Sequence, residues 1–285
     1  MTESGKHLMI HNIDAMCVLA ADARAHGEPI GFVPTMGALH EGHLSLIRRA
    51  SAENSLTVVS VFVNPTQFDD PGDLAAYPRT LHSDSEAAFN AGADIVFAPA
   101  VHEMYPDGFS TFIDMTGISE RLCGASRASH FRGVLTIVAK LFGICHPDHA
   151  YFGEKDAQQL AVIKKMVAEL NIPVAIIDCP TVRESDGLAM SSRNTRLSAE
   201  ERLAARCLYS ALYETKACFE AGETDVSKLT ATLHGGLEKN PLARIDYAEL
   251  VDPVTFESRE SAQKSDLLTL AVYIGNTRLI DNMRL

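Results

Sequence analysis

No run of about 18 uncharged apolar residues occurs in this 285-residue sequence, so a membrane-spanning helix is not expected. No block of Lys and Arg offsets the net charge of −12, and that balance excludes a basic face for nucleic acid. No Cys-x-x-Cys occurs either. The six cysteines (17, 123, 145, 179, 207 and 218) are scattered and read as free thiols of a reducing cytosol. The first residues carry no basic segment, and Asp14 and Asp22 interrupt the apolar stretch there, so a secretory leader is not expected and the chain is read as cytoplasmic. Repeats and low-complexity segments are absent. What the chain does have is material for a core. Hydrophobic residues make up 46% and charged residues 22%, over a length that suits one large or two medium domains.

The first two-thirds alternate between two periodicities. Helices are expected over 12–26 (Asn12 as N-cap), 44–53, 83–91, 134–145 and 157–170. Short apolar runs at 30–33, 56–63, 95–98, 150–152 and 174–179 read as strands buried on both faces. Such alternation implies an α/β fold, a Rossmann-like doubly wound parallel sheet with helices on both faces. Cys145-His146-Pro147-Asp148-His149 is then a helix–strand connection rather than a metal cluster. After Arg183 the pattern changes. One long helix is expected over 198–221, opened by a capping box at Ser198 and Glu201, and a second over 225–237. Strands at 245–251, 267–274 and 278–280 follow without intervening helices. The expected division is therefore 1–184, an α/β domain, and 185–285, a smaller α+β C-terminal domain.

The first functional signal is Pro34-Thr35-Met36-Gly37-Ala38-Leu39-His40-Glu41-Gly42-His43, placed between a strand and a helix. Glycines there allow close backbone approach, and a helix N-terminus offers N–H groups and partial positive charge to phosphate. His40 and His43 lie one helical turn apart and can aim at the same phosphates. Capping histidines and a chelating pair are the alternatives; the strand–turn–helix context favours phosphate, and no cysteine cluster stands nearby to complete a zinc site. Further cationic and hydroxyl donors are Lys155, beside Gly153 and Asp156 at a helix start, and Ser191, Ser192 and Arg193 in a loop. Taken singly, Lys155 and Arg193 read equally as solvated surface charges. Gln67 and Gln159 are candidate substrate-orienting amides, since each offers a donor and an acceptor. The histidine motif and the segments at 64–68 and 153–159 each follow an expected strand end, where ligands of such sheets lie. Asp84 is the best candidate ligand for a magnesium ion accompanying ATP, although an Asp near a helix start is also a natural dipole partner.

The stretch from Thr35 to His43 resembles the His-x-Gly-His signature of the nucleotidyltransferase superfamily, and Met190-Ser191-Ser192-Arg193 resembles its partner loop, Lys-Met-Ser-Lys-Ser. Three more stretches narrow the resemblance: Val61-Phe62-Val63-Asn64-Pro65-Thr66-Gln67-Phe68, His130-Phe131-Arg132-Gly133-Val134, and Phe152-Gly153-Glu154-Lys155-Asp156-Ala157-Gln158-Gln159-Leu160. Together, along nearly the whole chain, they resemble the pantothenate synthetase (pantoate–β-alanine ligase) family. The resemblance implies ATP-dependent condensation of (R)-pantoate with β-alanine through pantoyl adenylate, giving pantothenate, AMP and pyrophosphate, with Mg2+ accompanying ATP and a homodimer as the working state. It implies nucleotide contacts at Met36, Gly37, Ala38, Leu39, His40, Glu41, Gly42 and His43, at Gly153, Glu154, Lys155 and Asp156, at Val182, and at Met190, Ser191, Ser192 and Arg193. His40, His43, Lys155 and Arg193 would be catalytic, with His43 the general acid. Gln67 and Gln159 would hold pantoate, with Asn64 and Arg132 as weaker contacts. The 190–193 loop, at the expected domain junction, would serve as a hinge or lid. A plain nucleotidyltransferase and a non-catalytic nucleotide-binding module are the rival readings.

Overall fold

The apolar run Ile-Gly-Phe-Val at residues 30–33 is wholly buried, as a strand with helices on both sides must be. It begins β2 in the computed structural model, which describes residues 7–285. In chain order the strands are β1 (Leu8–Ile10), β2 (Ile30–Thr35), β3 (Leu56–Val61), β4 (Ile95–Phe97), β5 (His149–Gly153), β6 (Ala175–Cys179), β7 (Ala243–Val251), β8 (Leu267–Ile274) and β9 (Thr277–Arg284). The α-helices are α1 (Ile13–Ala25), α2 (Glu41–Glu53), α3 (Pro71–Ala75), α4 (Leu81–Asn90), α5 (Val101–Met104), α6 (Cys123–Ser126), α7 (His130–Cys145), α8 (Ala157–Glu169), α9 (Ala199–Ala204), α10 (Arg206–Glu220) and α11 (Val226–Glu238). Among the described residues, no helix is long and apolar enough to cross a membrane.

The chain divides into two units. Of the described residues, the first comprises 7–116, 127–154 and 162–180; the second comprises 117–126, 155–161 and 181–285. In the first unit six parallel strands lie in the order β1-β4-β3-β2-β5-β6. From β2 the chain moves outward through β3 and β4, then returns to the other side of β2 for β5 and β6. The order therefore reverses at β2, and the switch point places a crevice beyond the carboxyl ends of the central strands. Val33, Val59 and Val96 face α2 and α4, where Ile47, Ala50 and Ala88 bury completely. Phe32 points to the opposite face and meets Phe142 of α7 edge-on, with ring centroids 6.3 Å apart.

The second unit carries the antiparallel sheet β7-β8-β9. Its core is Leu208 and Leu212 of α10, Leu229, Leu233 and Leu237 of α11, and alternate residues of the strands such as Leu268, Leu270 and Val272. Two pieces from earlier in the chain belong here, which a consecutive division at 184/185 does not describe. The buried Gln158 links them: its Oε1 accepts from Cys123 N at 3.1 Å, and its Nε2 donates to the carbonyls of Ile118 and Arg121, both at 2.8 Å.

The α/β sheet with a separate α+β part is as the sequence implies. Some local features differ; α7 opens at His130 rather than 134, for example, and β3 ends at Val61 rather than 63. β1 was not expected; it is short and gains its definition from pairing with β4. The long helix expected over 198–221 is two helices, α9 and α10. Ala205 interrupts them without a breaker residue; Leu208 N bonds back to Ala205 O at 3.2 Å, and Ala204, Ala205 and Leu208 all bury into one core. Packing, not local propensity, sets that step. The capping box itself forms, between Ser198 and Glu201. Finally, α2 begins at Glu41 rather than 44, and His40 is its N-cap.

Candidate active site

The histidine motif leaves the end of β2 in a left-handed turn. Thr35 Oγ1 donates to Ser60 O at 2.7 Å and accepts from Gly37 N at 3.2 Å. Gly37 (φ +82°) and Ala38 (φ +50°) follow with positive φ. His40 Nδ1 then accepts from Gly42 N at 3.2 Å, while His40 N donates to His43 Nδ1 at 3.3 Å. This is a capping box made by two imidazoles. It fixes their chemistry: a ring nitrogen that accepts carries no proton, so in the neutral rings the N–H sits on Nε2. The two rings lie 4.1 Å apart, centroid to centroid. The sequence suggests open backbone N–H groups for phosphate at this turn. Instead, those of residues 37, 38, 39, 40, 42 and 43 all have acceptors within the chain.

Asp84 is expected as a magnesium ligand, and the structure gives it other partners. It is only 4% exposed. Its Oδ2 accepts from Ala38 N at 2.9 Å and from Thr80 Oγ1 at 3.0 Å, and its Oδ1 accepts from Leu39 N at 2.8 Å. Three donors already aim at the oxygens that a cation would need. Among the described residues no group of three or more His, Cys, Asp or Glu could hold a metal ion. The donor set therefore does not fit a protein-held magnesium.

The candidate substrate amides sit after β3. Asn64 caps and Gln67 ends the short 3-10 turn Pro65–Gln67, and they are 1% and 7% exposed. Asn64 Nδ2 donates to Gln67 Oε1 and to Gly133 O, both at 3.1 Å. Its Oδ1 accepts from the Tyr105 hydroxyl at 2.8 Å and from Thr66 Oγ1 at 2.9 Å. Both ends of the Asn64 amide thus have protein partners, one of them the Gln67 side chain. Gln67 in turn presents Nε2, which reaches Met36 Sδ at 2.7 Å. The Gln67 carbonyl is held by Arg127 Nη2 at 3.0 Å and His130 Nδ1 at 2.9 Å. Burial pushes the Tyr105 hydroxyl above its ordinary pKa, against the pull of its Thr66 and Asn64 hydrogen bonds, so it stays a donor. Arg132 is exposed and stacks over Phe112, 4.2 Å from the ring centroid, apart from this amide pair. Tyr105 and Gly133 were not singled out from the sequence, because their bonds to Asn64 span 41 and 69 residues.

Gly153 closes β5 and Glu154 follows it, both in the first unit. The remaining candidates belong to the second unit. The Lys155 carbonyl accepts from Asn282 Nδ2 at 2.8 Å, and its ammonium lies 3.9 Å from Asp156. Gln159 is half-buried, one residue after the buried Gln158. Val182 and Met190 face each other across a hairpin, Met190 N donating to Val182 O at 3.0 Å. Arg183 braces that hairpin with a bidentate pair to the fully buried Asp281, at 2.6 and 2.9 Å. Burial raises the Asp281 pKa while the guanidinium pulls it down. Ser191 caps the 3-10 turn Ser192–Arg196, its Oγ accepting from Arg193 N at 3.2 Å. The 190–193 loop is therefore bonded into the second unit rather than left as a bare linker.

The sequence model of the pantoate–β-alanine ligases matches residues 8–284. The chain belongs to the pantoate–β-alanine ligase family. It is an enzyme of that family, and the match spans both units. The pantothenate synthetase of Heliobacterium modesticaldum is 51% identical over 275 residues, 96% of this chain and 98% of the relative. That of Enterococcus faecalis is 53% identical over 259 residues, 91% and 92% of the two chains. Among solved structures, pantothenate synthetase from Thermus thermophilus matches with a TM-score of 0.91 at 42% identity, covering 97% of this chain and 98% of that one. The pantoate–β-alanine ligase of Francisella tularensis, solved with beta-gamma ATP and β-alanine, matches with a TM-score of 0.81 at 36% identity over 98% of both chains.

Proposed function

We propose that this ligase condenses (R)-pantoate with β-alanine in two steps at the expense of ATP. In the first, a pantoate carboxylate oxygen attacks the α-phosphorus; the new P–O bond forms as the bond to pyrophosphate breaks, leaving pantoyl adenylate. In the second, the β-alanine amine attacks the acyl carbon; the C–N bond forms, the bond to AMP breaks, and the amine loses a proton. The observation that carries this reading is the contact between Gln67 Nε2 and Met36 Sδ at 2.7 Å. It sets a buried, oriented amide against the loop that bears His40 and His43. A carboxylate that must reach an α-phosphorus needs its binding amide beside the phosphate donors, so positioning accounts for much of the rate. The Francisella tularensis relative, held with both a nucleotide and β-alanine, supports the same substrates here.

His40 and His43 donate through Nε2–H to charge that builds on the phosphoryl oxygens, and His43 protonates the departing pyrophosphate. Gln67 and Gln159 hold pantoate. The resemblance assigns Lys155, Ser191, Ser192 and Arg193 to the phosphates and Val182 and Met190 to the nucleotide. Magnesium, which retains waters and takes few protein ligands, would arrive with ATP and supply positive charge against the phosphates. The six free cysteines suit a reducing cytosol, and the proposed working state is a homodimer. The test is exchange of labelled pyrophosphate into ATP with pantoate and without β-alanine. Exchange should depend on pantoate, and AMP should accumulate with pantothenate only once β-alanine is added. Release of ADP instead would sink the mechanism, since it means γ-phosphoryl transfer.

A further inference from the structure

We infer that Asp84 is a positioning residue for the histidine loop: its buried carboxylate occupies the backbone cradle of Ala38 and Leu39 and so sets where His40 and His43 stand. Successive residues with left-handed backbone turn neighbouring N–H groups toward one point, which makes a cradle for an anion. Here the turn is Gly37 and Ala38, at φ +82° and +50°, and the anion in the cradle is a side chain of the protein. Each carboxylate oxygen takes one of the two N–H groups, at 2.9 and 2.8 Å. Hydrogen bonds to an ionised acceptor are the strong kind, and an alanine held at positive φ needs such support. Gly37 reports the same closeness: a Cβ there would lie 2.9 Å from Asp84 Oδ2. The carboxylate is itself held, by Thr80 Oγ1 at 3.0 Å, on the first turn of α4.

The loop passes without slack from this clamp to the imidazoles. Residue 40 follows the clamped Leu39 directly, and its N–H and ring both enter the capping box with Gly42 and His43. A carboxylate that fixes residues 38 and 39 therefore fixes the ring donors. The same bonds keep the cradle closed to a phosphate of ATP and keep the oxygens of Asp84 from serving a cation. The clamp is a property of the protein without nucleotide. Only its effect on turnover rests on the reaction proposed above.

The experiment compares the full-length protein with Asp84→Asn, which keeps the shape but turns one acceptor oxygen into a donor. Amide hydrogen exchange over residues 37–40 is read in the absence of nucleotide and magnesium. Pyrophosphate exchange is then measured across a magnesium titration. Exchange of the 38 and 39 amides should quicken at least about tenfold. Adenylation should slow by roughly a hundredfold, the scale of an ångström's misplacement of catalytic groups. The magnesium concentration for half-maximal rate should stay where it is. Unchanged protection of those amides would overturn the inference. Recovery of the rate at high magnesium would overturn it too, because a lost metal ligand behaves that way. Should Asp84→Asn fail to fold, Thr80→Val removes one donor onto the carboxylate and should loosen the same amides a few-fold; no loosening there counts against the clamp. If the parent protein shows no pyrophosphate exchange, the reaction assigned above fails, while the amide measurement still decides the clamp.

Discussion

Replacing Gly133 by alanine tests how the amide pair is built. A Cβ at this position would lie 2.4 Å from Thr66 O, 2.6 Å from its carbonyl carbon and 2.7 Å from Gln67 N. All three are backbone atoms, so no flexible side chain can swing away. To regain even 3.0 Å from Thr66 O, α7 and the 65–67 turn must separate by about 0.6 Å. Overpacking of this kind costs about 1–3 kcal/mol. The separation also strains the bond from Asn64 Nδ2 to Gly133 O, and leaving a buried amide short of a partner costs about 1–3 kcal/mol. Alanine in place of glycine in the first turn of α7 returns up to about 1 kcal/mol of propensity. The net is a destabilisation of about 1–5 kcal/mol, with Gln67 losing its orientation. Urea unfolding gives the stability, and steady-state kinetics with pantoate and ATP varied separately give the site effect. KM for pantoate should rise roughly tenfold, while KM for ATP stays within about twofold, since 1.4 kcal/mol is a factor of ten. A Gly133→Ala protein as stable as its parent, with unchanged pantoate KM, would show that helix propensity governs the position and that the Asn64 contact is incidental.

Two further outcomes follow from single bonds. Tyr105→Phe removes the hydroxyl that donates to Asn64 Oδ1 and meets Thr66 Oγ1; the hydrogen bond to Asn64 is worth about 1 kcal/mol, so pantoate KM should rise about fivefold with kcat and ATP KM steady, and an equal loss toward ATP would contradict a link from Asn64 to pantoate through Gln67. Asp186 braces the hairpin leading to Met190 through Arg202, which holds its carboxyl below the usual carboxylate range. A depressed folded pKa contributes stability that is complete above the unfolded value, about 3.9, and is lost as pH falls through the folded one. Asp186→Asn should therefore lower the melting temperature at pH 7 and do so progressively less below about pH 4; a deficit that is constant with pH would mean the side chain acts by shape alone.

Sequence reading reached as far as local information extends. Hydrophobic periodicity placed the strands that begin at 30 and 56 and the helix closing at 145, since burial on two faces or along one stripe leaves a mark within ten residues. Asn12, Ser198 and Asp225 cap their helices as their types imply, because capping bonds close over two or three residues. The site was legible as a set of motifs at strand ends: His40 and His43 as a pair, and Gln67 as an amide worth noting.

Tertiary structure decided the rest, because the groups that orient those motifs come from far along the chain. Asp84 looked like a helix-start carboxylate with room for a cation until its oxygens met the amides of residues 38 and 39, across 46 and 45 positions. Asn64 meets Tyr105 and Gly133 across 41 and 69 positions, partners that no local pattern announces. The two helices at 199–220 needed a shared core to part at Ala205. Composition and spacing determine which groups a chain can offer. Which of their donors and acceptors are left for a ligand depends on partners brought close only by folding, and a buried polar group takes such a partner whenever the fold supplies one.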